Sequence, residues 1–257
     1  MILVFGQSGQ VARELGRLIP DATFLDRAAC DLSEPTNCID AILYNRPRAV
    51  INAAAYTAVD KAESEEELAT VINGHAPAAM ARTCDELRIP LVHISTDYVF
   101  DGSGTDPRDP EEATAPANAY GRSKLVGEEG IRASGCAHAI MRTSWVFSSH
   151  GNNFVKTMLR LSDTRDMLNV VSDQIGGPTP ARDIAYAAMA MAEALMVDPT
   201  RTGTYHFSGA PDVSWADFAR EIFRQAGRNV TINDIPTSNF PTPAKRPLNS
   251  RMDCESL

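Results

Sequence analysis

The sequence begins with the apolar run Met1-Ile-Leu-Val-Phe5, which leads into Gly6-Gln7-Ser8-Gly9-Gln10-Val11-Ala12. The apolar run predicts a buried strand, and the hydrophobic residues that follow Gly9 recur at the spacing of a helix. Glycines between a strand and a helix allow a tight turn and let the backbone approach a pyrophosphate, whose charge meets the helix N-terminus. Gly6 and Gly9 are therefore candidate dinucleotide-binding residues, although an ordinary glycine turn would give the same pattern.

The alternation of strand and helix continues from this motif to Phe147. Strands are predicted at residues 2–5, 23–25, 49–53, 91–95 and 139–147, with helical patterns between them. Strands that alternate with helices form parallel sheets joined by right-handed crossovers. The sequence thus predicts an α/β fold, with a Rossmann-type doubly wound parallel sheet as the dinucleotide-binding domain at residues 1–147.

After Phe147 the pattern changes. A helix is predicted at 154–161 and a short strand at 168–171, whereas the apolar helix 182–197 and the strand 204–208 indicate a return to the main sheet. Ser214 and Asp217 resemble a capping box that opens a helix to Ala226, and the Pro-rich remainder predicts irregular structure. We therefore expect a smaller C-terminal α/β substrate domain made of residues 148–180 and 210–257, with 181–209 returning to the first domain.

Composition excludes several classes of protein. The 257 residues carry a formal net charge of −9, which argues against a nucleic-acid partner or an anionic membrane surface. The five cysteines form no Cys-x-x-Cys and pair with no histidine at metal-ligand spacing, so reduced thiols in a cytoplasmic protein are expected, without a metal. The longest apolar run, 185–197, contains Glu193 and predicts a buried helix rather than a membrane span.

Tyr120-Gly-Arg-Ser-Lys124 is the candidate catalytic stretch. A Tyr and a Lys four positions apart on a helix share one face. A tyrosine with an ordinary pKa of about 10 is a poor acid at neutral pH, and a neighbouring ammonium is expected to lower that pKa. Such a pair can give a proton to a carbonyl oxygen as the carbonyl is reduced. The alternative is a helix with an exposed Lys124 and a half-buried Tyr120.

The residues after the second and third strands are candidate cofactor contacts. Asp26 lies where an acid commonly binds the adenosine ribose and favours NADH, whereas Arg27 could accept the 2′-phosphate of NADPH. The sequence leaves that preference open, and both residues could also be solvated loop charges. Asp31 and Leu32 could flank the adenine. Small residues after the third strand, Ala53, Ala54 and Ala55, leave room for a cofactor or serve helix packing.

The segment His93-Ile-Ser-Thr-Asp-Tyr-Val-Phe-Asp-Gly102 places a hydroxyl at the carboxyl end of a strand, where open parallel sheets bind their ligands. Thr96 could hydrogen-bond a substrate carbonyl beside Tyr120, or could be an ordinary β-branched strand residue. Tyr98, two residues further on, is a second candidate substrate contact.

Several longer motifs together resemble the extended short-chain dehydrogenase/reductase superfamily and, within it, the dTDP-4-dehydrorhamnose reductase family. Besides the N-terminal glycine motif, they are Asn52-Ala-Ala-Ala-Tyr-Thr-Ala-Val-Asp-Lys-Ala-Glu63, Ser95-Thr-Asp-Tyr-Val-Phe-Asp-Gly102, Ala119-Tyr-Gly-Arg-Ser-Lys-Leu125, Arg142-Thr-Ser-Trp-Val-Phe147, Gly151-Asn-Asn-Phe154, Asp173-Gln174 with Gly177-Pro-Thr179, and Arg246-Pro-Leu-Asn-Ser250. The resemblance covers nearly the whole chain.

The resemblance implies reduction of the C4 keto group of dTDP-4-dehydro-6-deoxy-L-mannose with NADPH or NADH. Thr96, Tyr120 and Lys124 would be catalytic, and Lys124 would also bind the nicotinamide ribose. The other implied cofactor residues are Gly6, Gln10, Val11, Asp31, Leu32, Ala53, Ala54 and Ala55. Trp145 would lie along the substrate, unless it is a core aromatic residue. Candidate cations for the diphosphate are Lys245, Arg246 and Arg251, which could equally form a solvated basic segment.

Three features of the family's usual pattern bear on the partner, metal and reaction expected for this sequence. Family members usually continue beyond the Arg-Pro-x-x-Asn-Ser motif, and the resemblance implies that this continuation contributes to the contacts of the expected homodimer. Some members bind Mg²⁺ at a subunit interface, and Glu14 has a matching place, but one carboxylate is not a metal site. A nucleotide-sugar dehydratase or epimerase of the same superfamily is an alternative. Dehydratases typically have Asp-Glu directly after the Thr, whereas Tyr98 follows Asp97 here, which argues for carbonyl reduction. The motifs do not exclude a non-catalytic protein similar to the methionine adenosyltransferase beta subunit.

Overall fold

The computed structural model describes residues 1–256. Its strands are β1 (Ile2–Phe5), β2 (Thr23–Leu25), β3 (Ala49–Asn52), β4 (Leu91–Thr96), β5 (His138–Thr143), β6 (Val146–Phe147), β7 (Met167–Val171), β8 (Ile175–Gly176), β9 (Thr179–Pro180), β10 (Gly203–His206), β11 (Val213–Ser214), β12 (Thr231–Ile235) and β13 (Asn249–Ser250). Its α-helices are α1 (Gln10–Leu18), α2 (Pro35–Asn45), α3 (Val59–Ala62), α4 (Glu66–Thr70), α5 (Ala76–Leu87), α6 (Ala119–Ser134), α7 (Phe154–Ser162), α8 (Ala181–Val197) and α9 (Trp215–Ala226). A π-helical turn, Val71–His75, joins α4 to α5.

Six parallel strands form the main sheet in the order β10-β5-β4-β3-β1-β2. The chain runs outward from β1 to β2 and then returns to β3 on the other side of β1. In open parallel sheets, ligands bind outside the carboxyl ends of the strands at the point where the order reverses. This is the Rossmann-type doubly wound sheet that the sequence predicts.

Both faces of the main sheet are covered. Leu3 and Phe5 of β1 pack into the core beneath α2 and α5, whereas Val4 belongs to the core beneath α1 and α8. All three side chains are fully buried, as expected for strands with helices on either side. The continuous apolar run at the start of the sequence follows from this two-sided burial.

A smaller unit is built from later segments of the chain. β7 and β12 pair in parallel, and α7 and α9 pack on them around Leu168, Ala219 and Phe223. Ser214 caps α9 as predicted, since its hydroxyl accepts a hydrogen bond from the backbone N–H of Asp217 at 3.0 Å. Meanwhile α8 packs on α1, and β10 pairs with β5 in the main sheet. The division into two domains at the stated boundaries stays a prediction.

Two predictions of secondary structure are wrong. The strand expected at 139–147 ends at Thr143, because Trp145 has a left-handed φ of 48° and redirects the chain into β6, which pairs with β9. The Pro-rich terminal segment was expected to be irregular, but residues Thr231–Ile235 form β12. Its partner β7 is remote in sequence, so local composition does not reveal the pairing.

No helix within residues 1–256 is both long and apolar enough to cross a membrane.

Candidate active site

A cavity of about 910 Å³ lies across the carboxyl edge of the main sheet. Its size suits a large organic ligand. The glycine turn after β1 lines one part, and the N-terminal turns of α6 line another. Of the predicted site residues, the cavity wall contains Gly6, Gly9, Gln10, Val11, Asp26, Arg27, Asp31, Leu32, Ala53, Ala54, Ala55, Thr96, Tyr98, Tyr120, Lys124 and Trp145. Arg246 is not part of this wall.

The glycine turn forms a cradle that a larger side chain would fill. Gly6 has a φ of 105°, and a Cβ on it would lie 3.3 Å from the backbone of Ala53. Gly9 precedes the first turn of α1, and no side chain caps that helix. The first N–H groups of α1 are thus available at the cavity, which fits the pyrophosphate of a dinucleotide.

The adenosine end of the predicted cofactor site is open to solvent. Asp26 is exposed and accepts a hydrogen bond from the N–H of Ala29 at 2.8 Å. The Arg27 side chain is 75% exposed, and its Nε lies 3.7 Å from the Asp31 carboxylate. Asp26 and Arg27 both remain able to contact a ligand at this end.

Helix α6 is held close to the strand-end loop. Asn118 caps it by accepting a hydrogen bond from Gly121 N–H at 2.8 Å. A Cβ on Gly121 would lie only 2.1 Å from the carbonyl oxygen of Tyr98, so only glycine fits this contact. The close approach places Tyr120 beside Tyr98, with ring centroids 5.5 Å apart in an edge-to-face arrangement.

Tyr120 is half-buried at the cavity wall. Burial raises the pKa of its phenol to about 12, the negative charge of Asp97 adds to the rise, and a hydrogen bond with Thr96 opposes it. The expectation that Lys124 lowers this pKa is wrong, since the pKa is raised and Lys124 is not among its causes. Nζ of Lys124 instead contacts the carbonyl oxygen of Ile94 at 2.6 Å and Nε2 of His93 at 3.0 Å.

Lys124 is almost completely buried, with 1% of its surface exposed. Burial lowers its pKa to about 8, and the charge of Glu128 partly opposes this. Burial, together with the charge of Lys124, also lowers the pKa of His93 well below its usual value, so His93 is neutral. Sequence reasoning did not identify His93, which reads as an ordinary position in a buried strand.

A buried ion pair fixes α6 one turn beyond Lys124. Glu128 accepts hydrogen bonds from Arg142 Nη2 at 2.7 Å and from the Ser95 hydroxyl at 2.6 Å. Glu128 and Arg142 are 0% and 1% exposed, so each charge depends on the other for stabilisation. The sequence carries one signal for this pair, since Glu128 follows Tyr120 and Lys124 at four-residue spacing on the same helical face.

Asp97 is a second site residue that sequence reasoning did not assign. It lines the cavity, and burial raises the pKa of its carboxyl to about 6. The Thr96 hydroxyl donates a hydrogen bond to Asp97 Oδ1 at 3.1 Å and accepts one from Tyr98 N–H at 3.2 Å. These two bonds hold the Thr96 hydroxyl next to the phenol of Tyr120.

Aromatic side chains form the wall toward the smaller unit. Trp145 stacks on Trp215 with ring centroids 3.5 Å apart and an interplanar angle of 10°. Trp215 Nε1 donates a hydrogen bond to Gln174 at 3.1 Å, which fixes the indole plane. Trp145 thus lines the cavity while its ring is held in place by the stack with Trp215.

The three predicted cations lie outside the cavity wall. Arg246 pairs with Asp60 at 2.8 Å, and its positive charge acts on Tyr98, so it lies close to the cavity. Arg251 contacts the Asn249 side chain, and Lys245 is exposed. Their role toward a diphosphate stays a prediction.

Glu14 does not line the cavity; it lies 3.4 Å from both Arg17 and His150. Within residues 1–256, no three His, Cys, Asp or Glu side chains are grouped to hold a metal ion.

The parallel sheet, the glycine turn at its switch point and the cavity above them define a Rossmann-type dinucleotide-binding protein. The model of the RmlD substrate binding domain family matches residues 1–257, and the chain belongs to this family. It is similar to the dTDP-4-dehydrorhamnose reductases of Sinorhizobium fredii, 43% identical, and Salmonella typhimurium, 42% identical, in each case over 100% of this chain and 90% of the relative.

Solved structures of similar proteins share the complete fold. The dTDP-4-dehydrorhamnose reductase of Clostridium acetobutylicum matches with a TM-score of 0.93 and 37% identity, over 100% of this chain and 91% of that chain. The dTDP-4-dehydrorhamnose reductase of Bacillus anthracis, solved in complex with NADP, matches with a TM-score of 0.92 and 36% identity, over 99% and 90% of the two chains. These comparisons confirm the family and the fold that the sequence predicts.

Proposed function

We propose that this chain is an NAD(P)H-dependent oxidoreductase that reduces the C4 keto group of dTDP-4-dehydro-6-deoxy-L-mannose (dTDP-4-dehydrorhamnose) to give dTDP-L-rhamnose. The observation that carries the proposal is the position of Thr96, Tyr120 and Lys124 in one cavity with the glycine turn of a dinucleotide-binding sheet. The names of relatives that are at least 40% identical over the whole chain support the same substrate.

Proton donation is the task of Tyr120 in this proposal. With a pKa of about 12, the phenol keeps its proton at neutral pH and can give it to the oxygen of a carbonyl that is being reduced. Thr96, held by Asp97 and the backbone of Tyr98, presents its hydroxyl on the same side. When bound, the nicotinamide supplies the hydride for the carbonyl carbon.

NADPH is the cofactor that we propose first, with NADH as an alternative. The Bacillus anthracis relative was solved with NADP, and exposed Arg27 in the cavity wall can pair with a 2′-phosphate. Gly6, Gly9, Gln10, Val11 and the Ala53–Ala55 backbone would hold the rest of the molecule. Asp26 could instead bind the ribose hydroxyls of NADH.

Trp145 and Tyr98 are the substrate contacts that we propose, because both line the cavity beside Tyr120. Arg246, next to Tyr98, is the most favourably placed of the three predicted cations. We further propose a cytoplasmic protein, in line with its five free cysteines, and a homodimer, which light scattering of the purified chain would test.

The decisive experiment mixes the purified chain with dTDP-4-dehydrorhamnose and NADPH or NADH and follows the absorbance of the reduced nicotinamide. We expect oxidation of the nicotinamide and formation of dTDP-L-rhamnose. Tyr120→Phe should retain cofactor affinity and lose about 10²–10⁴-fold in kcat, because only the proton donor is removed. Tyr44→Phe is the matched control, since Tyr44 is 89% exposed and lies outside the cavity wall.

Two results would contradict the proposal. If neither nicotinamide is oxidised although both bind, the chain is a binding protein that retains a reductase fold. If Tyr120→Phe turns over at the rate of Tyr44→Phe, the phenol is not the proton donor.

A further inference from the structure

Four hydrogen bonds form a continuous hydrogen-bond chain through five residues at the cavity, and the proposed reaction uses the side chain of only one of them, Lys124. The backbone N–H of Ala54 donates to Asn52 Oδ1 at 3.1 Å, and Asn52 Nδ2 contacts His93 Nδ1 at 3.0 Å. His93 Nε2 contacts Lys124 Nζ at 3.0 Å, and Nζ donates to the carbonyl oxygen of Ile94 at 2.6 Å. Asn52, His93 and Lys124 are 1%, 0% and 1% exposed, so these three side chains depend on one another for hydrogen bonds.

The groups at the two ends of this hydrogen-bond chain determine which atoms along it donate and which accept. Ala54 N–H can only donate, so it holds the oxygen of the Asn52 amide and directs the NH₂ group at His93. His93 Nδ1 must then accept, which places the single proton of the neutral ring on Nε2. At the other end the Ile94 carbonyl can only accept, so Lys124 must donate to it.

Lys124 therefore faces an N–H donor on one side and an acceptor on the other. An ammonium has three donors and no lone pair, so it would meet the Nε2–H of His93 donor against donor. A neutral amine has one lone pair for Nε2–H and still donates to the Ile94 carbonyl. Only the neutral amine satisfies every group in this buried chain.

We propose that Asn52 and His93 are positioning residues that favour the neutral amine of Lys124 over its ammonium form. The proposal rests on the proposed function only in giving Lys124 a role toward the cofactor. Where Lys124 is neutral, a ligand that binds its ammonium form binds together with the uptake of one proton from solvent. Asn52 and His93 thereby make the binding of such a ligand depend on pH.

The charged groups around Lys124 are few. Glu128, from α6 itself, favours the ammonium, but it is already paired with Arg142 and bonded to Ser95. Tyr120, also from α6, is an uncharged phenol at neutral pH, and His93 from β4 is neutral. Burial outweighs the effect of Glu128 and lowers the pKa of Lys124 to about 8. This direction agrees with the direction of the hydrogen-bond chain.

The test uses NMR on the full-length protein without added ligand to follow the protonation of Lys124 and the position of the proton on His93. The sequence has only four lysines, Lys61, Lys124, Lys156 and Lys245, so ¹³C,¹⁵N-lysine labelling gives four side-chain signals, and Lys124→Met identifies the one from Lys124. Its signal should titrate near pH 8, below the ordinary lysine pKa of about 10.4. ¹⁵N-histidine labelling should show the His93 proton on Nε2, with His93→Gln identifying its signals.

Asn52→Asp tests the donor-to-acceptor direction of the hydrogen-bond chain. Ala54 N–H would hold one carboxylate oxygen, while the other would accept from Nδ1–H of His93, so that Nε2 becomes an acceptor for an ammonium. We expect the His93 proton to move to Nδ1 and the Lys124 midpoint to rise by at least one pH unit. Asn73→Asp is the control, because Asn73 is equally buried and bonds Ser123 of α6 rather than His93.

Either of two results in the unmodified protein would overturn the proposal: a Lys124 signal that titrates at or above the ordinary lysine pKa of about 10.4, or a His93 proton on Nδ1. Both readouts stand even if Asn52→Asp does not fold. Neither needs turnover, so a failure of the reductase assay and a failure of this proposal are distinguishable.

Discussion

Replacing Gly121 by alanine should move Tyr120 away from Thr96. The new Cβ would lie 2.1 Å from the carbonyl oxygen of Tyr98, whereas non-bonded heavy atoms pack best at about 3.5–4 Å. The first turn of α6 and the Tyr98 backbone must therefore separate by about 1 Å or more. Tyr120 is next to Gly121 in the sequence, and Tyr98 lies two residues after Thr96. Separating Gly121 from Tyr98 therefore also moves the phenol of Tyr120 away from the Thr96 hydroxyl.

Both stability and turnover should fall. Overpacking of this kind costs about 1–3 kcal/mol of the free energy of unfolding. For a chain of this length, that cost corresponds to a Tm lower by roughly 2–12 °C. A displacement of 1 Å between catalytic groups reduces rates by about 10²-fold, so kcat of Gly121→Ala should fall by about that factor.

The assay compares Gly121→Ala with Gly16→Ala. Gly16 also lies in a helix, α1, but the nearest atom to its new Cβ is Phe24 Cζ at 3.8 Å, an ordinary contact. Gly16→Ala should keep the wild-type kcat and keep or raise Tm, since alanine favours helices over glycine by about 1 kcal/mol. If Gly121→Ala matches Gly16→Ala in both Tm and kcat, the close approach of α6 to Tyr98 does not position the phenol.

Three further outcomes follow from the site. Burial raises the pKa of Asp97 from 3.8 to about 6, so between these pH values the folded protein holds a proton that the unfolded chain has lost. The free energy of unfolding of Asp97→Asn minus that of wild type, measured by urea titration, should therefore rise between pH 4 and 6 and then level off, whereas a constant difference would contradict the raised pKa. Glu128→Gln leaves Arg142 as an unpaired buried charge and should cost about 3–5 kcal/mol in the same assay, whereas a cost below 1 kcal/mol would mean that the pair is hydrated. Arg27→Ala should raise KM for NADPH about tenfold, equal to ~1.4 kcal/mol, with little change for NADH; equal changes for both cofactors would exclude a contact with the 2′-phosphate.

Local patterns were sufficient for the parts of the molecule that lie within one strand, turn or helix. The apolar run before Gly6 and the helix after Gly9 gave the first unit of the sheet, and four-residue spacing placed Tyr120 and Lys124 on one face of α6. Parallel topology then placed the carboxyl ends of these strands at one edge. The residues predicted from different strands consequently line a single cavity.

The remaining features depend on contacts between distant segments. Asn52 and His93 meet because they are direct neighbours in the pairing of β3 with β4, a register that neither strand specifies alone. His93, rather than the phenol, is therefore the partner of Lys124, which is why the expected lowering of the Tyr120 pKa is wrong. The left-handed φ of Trp145 likewise depends on β9 and Trp215, which lie further along the chain.

The position of β10 has a consequence for synthesis on the ribosome. The β4 partner of β5 precedes it in the chain, but the other edge of β5 is completed only by Gly203–His206, after the segments that contribute α7, β7 and α8. A nascent chain at that stage presents the unpaired backbone of β5, a template for wrong pairing. Slow translation between β6 and α8 would lengthen the time for which this edge of β5 stays unpaired.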